Sequence, residues 1–248
     1  MVLITGSAIR IGSCIAESLA SDGWTVALHY HTNGSAAEDL AKKILSNGGN
    51  AITIKADLSN ESQVSNLIPK VTQSLGPISC LINNASTFEY DSVKSSTRTS
   101  WDLHMETNLR APYVLSKSLA ESTPSNCQRS IINILDQRVW NLTPHFITYT
   151  LSKASLWVLT QTLALALAPD IRVNAIGPGP VLRNARQSES DFEVQYQRTP
   201  LGQAVSTQEV ANTVRYIIET RSLTGQMLAI DGGQHMGWSI PENSEQNE

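Results

Sequence analysis

Val2-Leu3-Ile4-Thr5-Gly6-Ser7-Ala8-Ile9-Arg10-Ile11-Gly12 decides how the rest of the chain is read. A short apolar run, a turn bracketed by glycines and an apolar segment of helical period follow one another without a break. Gly6 and Gly12 let the main chain come close to a pyrophosphate, and the free N–H groups of the following helix meet its charge. A glycine pattern alone is weak; its position between the first strand and the first helix gives it weight. The alternative is a plain strand–helix turn whose glycines serve geometry only.

Outward from this turn the same alternation repeats. Apolar runs of strand length occupy residues 2–5, 25–29, 51–55, 78–83, 130–135, 172–176 and 227–230. Several are largely apolar instead of alternating, as in parallel strands covered on both faces. Helical period runs through residues 12–21, 35–45, 61–75, 101–118, 148–167 and 207–219. Ser206 and Glu209 have capping-box spacing, and Asp57-Leu58-Ser59-Asn60 closes a strand and opens a helix. Repeated strand–helix units predict a single-domain α/β fold, a doubly wound (Rossmann-type) parallel sheet of seven strands with helices on both faces. No linker, composition break or repeat divides residues 1–240. Residues 177–202 lack periodicity and are expected to form a substrate loop, and residues 241–248 a polar tail.

Apolar residues make up 41% of the 248, charged residues 16%, and the formal net charge is −4. Both signs of charge are dispersed, which argues against a nucleic-acid partner or an anionic membrane surface. Cys14, Cys80 and Cys127 are odd in number and widely spaced. Neither a disulfide framework nor a metal site is expected, and a reducing compartment is. The sequence opens into a strand with no basic n-region and holds no long apolar segment, so a cytoplasmic protein without signal peptide or membrane span is expected.

An NAD site carries an acidic residue at the end of the second strand to bind the ribose hydroxyls. Here that region reads His29-Tyr30-His31-Thr32-Asn33, with no carboxylate. A carboxylate would repel a 2′-phosphate, whereas Arg10, His31, Thr32 and Asn33 can donate to one. The expected cofactor is therefore NADP(H). Taken singly, each histidine reads equally well as a polar residue at a strand end.

Tyr149-Thr150-Leu151-Ser152-Lys153 opens a predicted helix, with phenol and ammonium on one face, one turn apart. A nearby ammonium is expected to lower the tyrosine pKa and ready the phenol for proton exchange beside a hydride acceptor. By itself Tyr-x-x-x-Lys is common, and a helix start with a surface lysine is its usual meaning.

Together these residues resemble the short-chain dehydrogenase/reductase family over nearly the whole chain. The matching pieces are Thr5-Gly6 through Gly12, Asp57, Asn83-Asn84-Ala85, Asn108, Tyr149, Lys153, Asn174, Pro178-Gly179 and Asp231-Gly232-Gly233. The resemblance implies that Gly6, Arg10, Ile11 and Gly12 form the phosphate turn, and that Asp57 and Leu58 lie at the adenine. It also implies that Asn83, Ala85 and Ser86 flank the ribose side, Lys153 binds the nicotinamide ribose, and Pro178 and Gly179 complete the cofactor site. Asn108 would hold a water in a proton relay.

Two departures narrow the resemblance. Arg10 stands where the family's phosphate turn has its middle glycine, and Asp136 stands where its catalytic serine falls. Both are shared by the branch of pteridine reductases and dihydromonapterin reductases, which also carries the His29-Tyr30-His31 run and the Asn-Asn-Ala-Ser-x-Phe run ending at Phe88. On a pterin, Asp136 would pass protons through Tyr149 to a ring nitrogen, Phe88 would stack on the ring, and Ser86 and Arg10 would bond its polar edge. Taken alone, Phe88 also reads as a core aromatic and Asp136 as a turn residue.

The expected function is NADPH-dependent reduction of a dihydropterin-like substrate, with Tyr149 as proton donor. Two alternatives stay open: a reductase of ketones such as oxoacyl thioesters, quinones or sugars, and a cofactor-sensing protein without catalysis. Helix 148–167 has apolar residues on more faces than one sheet needs, including Leu151, Leu156, Trp157, Leu159, Leu163 and Leu167. By resemblance to the family this helix is expected to build a homotetramer.

Overall fold

In a computed structural model, which describes residues 1–122, 128–184 and 186–237, the apolar runs become seven strands. They are β1 (Val2–Ile4), β2 (Thr25–Tyr30), β3 (Asn50–Lys55), β4 (Cys80–Asn83), β5 (Arg129–Ile134), β6 (Ile171–Pro178) and β7 (Met227–Ile230). All pair in parallel, in the order β3-β2-β1-β4-β5-β6-β7. The doubly wound α/β sheet expected from the pattern is therefore present. The expected tail, residues 241–248, and Cys127 lie outside the described residues.

The helices are α1 (Arg10–Ser21), α2 (Gly34–Ser46), α3 (Glu61–Ser65), α4 (Leu67–Leu75), α5 (Arg98–Met105), α6 (Ala111–Glu121), α7 (Ile147–Ala166), α8 (Glu189–Gln197) and α9 (Thr207–Glu219). Alternation along each strand sorts the core into two layers. Val2 and Ile4 of β1, Cys80 and Ile82 of β4 and Ile132 of β5 pack with α1, α2 and α9. Leu3, Leu81 and Ile131, one residue out of phase, pack with α4, α6 and α7 on the other face. Each buried large aliphatic side chain contributes about 1.5–3 kcal/mol. The order of strands reverses between β1 and β4, and the crevice at their carboxyl ends is where such sheets take ligands.

Three expected boundaries change for physical reasons. The helix expected over 61–75 is broken at Asn66, whose side chain bonds the carbonyl of Ser62 at 2.7 Å; Pro69 has no N–H to give the turn before it. The helix expected over 101–118 starts earlier, where Thr97 and Ser100 form a capping box. It then widens into a π-helical turn, Glu106–Arg110. Pro112 cannot donate to the carbonyl of Asn108, four residues back, which opens the helix there. The expected loop 177–202 holds the last residues of β6 and all of α8, capped by Ser188 and Asp191. Among the described residues, no helix is long and apolar enough to cross a membrane.

Candidate active site

The glycine turn is shaped by close approach. Gly6 has φ +61, and a Cβ there would stand 2.9 Å from Ala85 Cα. Gly12 is packed between the carbonyl of Gly6 and the side chain of Asn84. Arg10, in the usual glycine position, also has a left-handed φ of +59, a conformation costing about 1–2 kcal/mol without glycine. Its guanidinium bonds the carbonyls of Arg183 and Leu182 at 3.0 and 3.1 Å. The first turn of α1 has no side-chain cap, which leaves N–H donors open to an anion.

His29 supports this turn from beneath. Its Nδ1 accepts the N–H of Gly6 at 3.0 Å and its Nε2 donates to the carbonyl of Ala56 at 3.1 Å. Burial pushes its pKa down from 6.5 to about 4, against the pull of that carbonyl. The Asn84 amide ties the carbonyls of Thr5 and Gly6 to the end of β4.

A cleft of about 470 Å³ runs from this turn past His31, Thr32 and Asn33 to Asp57 and Leu58. His31 Nε2 lies 3.9 Å from Asp57 Oδ2. Bonds from the Ser59 hydroxyl and amide hold the Asp57 carboxyl below its usual range. The glycines without Cβ, the open helix end and the polar donors along this cleft fit a phosphate-bearing dinucleotide.

A second cleft of about 260 Å³ shares Arg10, Ile11, Asn84 and Ser86 with the first and ends on Asp136, Tyr149 and Lys153. The Tyr149 hydroxyl donates to Asp136 Oδ2 at 2.8 Å. The other oxygen of Asp136 accepts the N–H of Arg138 at 2.8 Å, fixing the carboxylate at the end of β5. Lys153 Nζ donates to the carbonyl of Ile134 at 2.8 Å. Burial lowers the Lys153 pKa to about 8, opposed by Asp136. The Tyr149 pKa moves up, not down as the spacing alone led us to expect. Burial is the main cause, followed by the Asp136 charge and the bond to it.

Phe88 forms one wall, stacked on Phe146 at 4.4 Å between centroids and edge-on to Tyr149 at 4.6 Å. The Arg186 guanidinium lies 5.2 Å from the Phe88 ring centre and pairs with Glu89 at 2.9 Å. The Asn108 side chain is committed to protein partners. Its amide donates to the carbonyl of Thr87 and to Ser152 Oγ, and its oxygen accepts from the N–H of Thr87.

Residues 6–235 match the family described as enoyl-(acyl carrier protein) reductase. The chain belongs to the short-chain dehydrogenase/reductase family. It is 46% identical to alternative dihydrofolate reductase 1 (FolM) from Brucella canis, crystallised with NADP, covering 98% of this chain and 96% of that one at a TM-score of 0.93. The Brucella suis protein, also with NADP, matches at 46% identity and TM-score 0.93, covering 97% of each chain. A 3-oxoacyl-[acyl-carrier-protein] reductase of Synechocystis is 28% identical over 240 residues, 95% of this chain and 97% of that protein.

Within this short-chain dehydrogenase/reductase, the two clefts bring together most of the residues expected at the site. Gly6, Arg10, Ile11, Gly12, His31, Thr32, Asn33, Asp57, Leu58, Ala85 and Ser86 line the first; Phe88, Asp136, Tyr149, Lys153, Pro178 and Gly179 line the second. Asn83 departs from the expectation. Its side chain bonds Asn133 at 2.8 Å inside the sheet, and Asn84 reaches the turn instead. Arg10 departs too, since its guanidinium is bonded to the carbonyls of Leu182 and Arg183. His29, Asn84 and Phe146 join the site without having been expected there. The first two sit inside quoted runs, so their neighbours pointed to them; nothing in the sequence marked Phe146, which meets Phe88 only through folding.

Proposed function

We propose that this oxidoreductase uses NADPH to reduce a dihydropterin-like substrate, with Tyr149 delivering the proton and Asp136 resupplying it. The observation that carries this reading is the 2.8 Å bond between the Tyr149 hydroxyl and Asp136, in a cleft walled by the Phe88 ring. The identity with the Brucella alternative dihydrofolate reductases supports the same substrate class.

NADPH, when bound, supplies the hydride. Gly6, Ile11 and Gly12 would receive its pyrophosphate at the N-terminal end of α1, and His31, Thr32 and Asn33 would meet the 2′-phosphate. Asp57 and Leu58 border the adenine, Ala85 and Ser86 the ribose side, and Pro178, Gly179 and Lys153 the nicotinamide end. Phe88 holds a flat heterocycle against that end by stacking, and Ser86 bonds its polar edge.

Reduction of a C=N bond adds hydride to carbon and leaves the electron pair on nitrogen, which takes the phenol proton of Tyr149. Burial and the Asp136 charge keep that phenol protonated at neutral pH. Lys153, buried beside it, stabilises the phenolate that forms, and Asp136 relays a proton taken up from solvent back to the phenolate. Asn108 acts through its main-chain carbonyl, which Pro112 leaves without an α-helical donor, as the holder of a relay water.

Ketone reduction is the second reading, favoured by the oxoacyl reductase relative and by the Tyr149–Lys153 pair. The aspartate at 136 in place of the usual serine counts against it. We also propose a homotetramer built on α7, where Leu151, Val158 and Leu165 form an exposed apolar stripe at heptad spacing. The test of function is NADPH oxidation with dihydrobiopterin and dihydromonapterin beside a ketone panel. Turnover with a pterin is expected; activity on ketones alone would refute the substrate class.

A further inference from the structure

Beneath Tyr149 lies a buried polar chain that the proposed reaction does not use. Asp91, 1% exposed, has no cationic partner among the described residues. A buried carboxylate without such a partner costs several kcal/mol unless it is hydrogen-bonded. Its Oδ1 accepts the N–H of Thr148 at 3.2 Å, and its Oδ2 accepts the Thr148 hydroxyl at 2.5 Å and the Ser100 hydroxyl at 3.4 Å. Its carbonyl accepts the N–H of Phe146 at 2.8 Å.

These bonds replace a missing cap. The residue before α7 is Phe146, in a left-handed conformation with φ +57 and with no side-chain bond to the helix. A helix start leaves its first N–H groups without partners. Asp91 supplies a partner for the Thr148 N–H from a loop far away in sequence and places negative charge at the positive helix end.

His104 ties the same point to the substrate wall. Its Nε2 accepts the N–H of Glu89 at 3.0 Å, so the ring proton is on Nδ1. Nδ1 then donates towards the Thr148 hydroxyl at 2.7 Å, with the carbonyl of Ser100 at 2.9 Å. The bonds run in one direction: Glu89 N–H to His104, His104 to Thr148, Thr148 to Asp91. Burial lowers the His104 pKa, which keeps the ring neutral as this order requires. Glu89 follows Phe88, and Thr148 precedes Tyr149.

We propose that Asp91 is a positioning residue which, through Thr148 and His104, locks the start of α7 to the Phe88 loop and sets the gap between the Phe88 ring and the Tyr149 hydroxyl. The inference rests on the reading of Tyr149 as proton donor. Misplacement of a reacting group by about 1 Å costs on the order of 100-fold in rate, so a partial slip is expected to cost about tenfold.

The experiment compares Thr148→Val, which keeps shape but loses the hydroxyl, with Thr148→Ser and Asp91→Asn, using NADPH and dihydrobiopterin. Thr148→Val is expected to lower kcat about tenfold and raise the solvent deuterium isotope effect, since proton delivery becomes slower. NADPH Kd, by fluorescence titration, should stay within about twofold, and Thr148→Ser should restore kcat. Asp91→Asn keeps the amide acceptor and should fall between the two. Unchanged kcat in Thr148→Val, or a loss matched by equal weakening of NADPH binding, overturns the proposal. Tyr149→Phe separates the failures. If it keeps full pterin turnover, the proton-donor reading falls and takes this inference with it. If it is inactive while Thr148→Val is fully active, only the positioning role falls.

Discussion

Acid should loosen the phosphate turn through His29. The ring is 2% exposed and holds Gly6 by accepting its N–H, so a proton on Nδ1 would set two N–H groups against each other. Burial places the folded pKa near 4, against an ordinary histidine value of 6.5. As pH falls, the unfolded chain therefore binds the proton first. The stabilisation from neutral His29 is complete above pH 6.5 and is lost progressively as pH falls from there towards 4. At about 1.4 kcal/mol per pK unit, the total is roughly 3 kcal/mol. Urea unfolding followed by circular dichroism, at steps between pH 7 and 4, would measure it in the wild type and in His29→Gln. The carboxylates titrate in both, so their background cancels in the difference. The wild type should lose about 3 kcal/mol more than the variant over this window. Equal slopes would show that His29 is not held neutral, and the account of the turn would be wrong.

Other expectations follow from the same geometry. Gly12→Ala forces a methyl between the Gly6 carbonyl and Asn84 Nδ2, which would be 2.6 Å away; NADPH binding should weaken by more than about tenfold, or ~1.4 kcal/mol, in fluorescence titration. Lys153, which burial brings to about 8, is held from falling further by Asp136. Burial is the main cause raising Tyr149, and the Asp136 charge adds to it. In Asp136→Asn both groups lose protons more readily, so the alkaline limb of the residual kcat–pH profile should move down by roughly one unit. Leu165 is 85% exposed on the α7 stripe; Leu165→Glu should lower the assembly mass in analytical ultracentrifugation while monomer secondary structure is kept.

How much was readable in advance depends on the range of the interaction. Continuous apolar runs such as Met227 to Ile230 and the helical period of 148–167 are local signals, and they carried the sheet and the long helix. Tyr149 and Lys153 sit one turn apart, so their shared face was legible, but the sign of the tyrosine shift was not. It depends on burial and on Asp136, 13 residues earlier, whose oxygen reaches the phenol only after β5 and α7 pack. Asn83 and Asn84 are adjacent, and only the strand pleat decides which faces the turn. The helix breaks at Asn66 and Glu106–Arg110 were foreshadowed by Pro69 and Pro112, whose missing donors outweigh an unbroken apolar period. Phe146 and Asp91 carry no local signature at all, because each matters through a partner brought up by the fold.

Replacing Asp136 with serine, the residue the family ordinarily has there, probes the proton path to a pterin at its source. NADPH oxidation would be followed with dihydrobiopterin and with a ketone, in wild type and Asp136→Ser. Pterin turnover is expected in the wild type, with a loss of about 100-fold or more in the variant and unchanged NADPH binding. Pterin turnover undiminished in Asp136→Ser, or absent from a wild type that binds NADPH, would refute the proton path through Asp136.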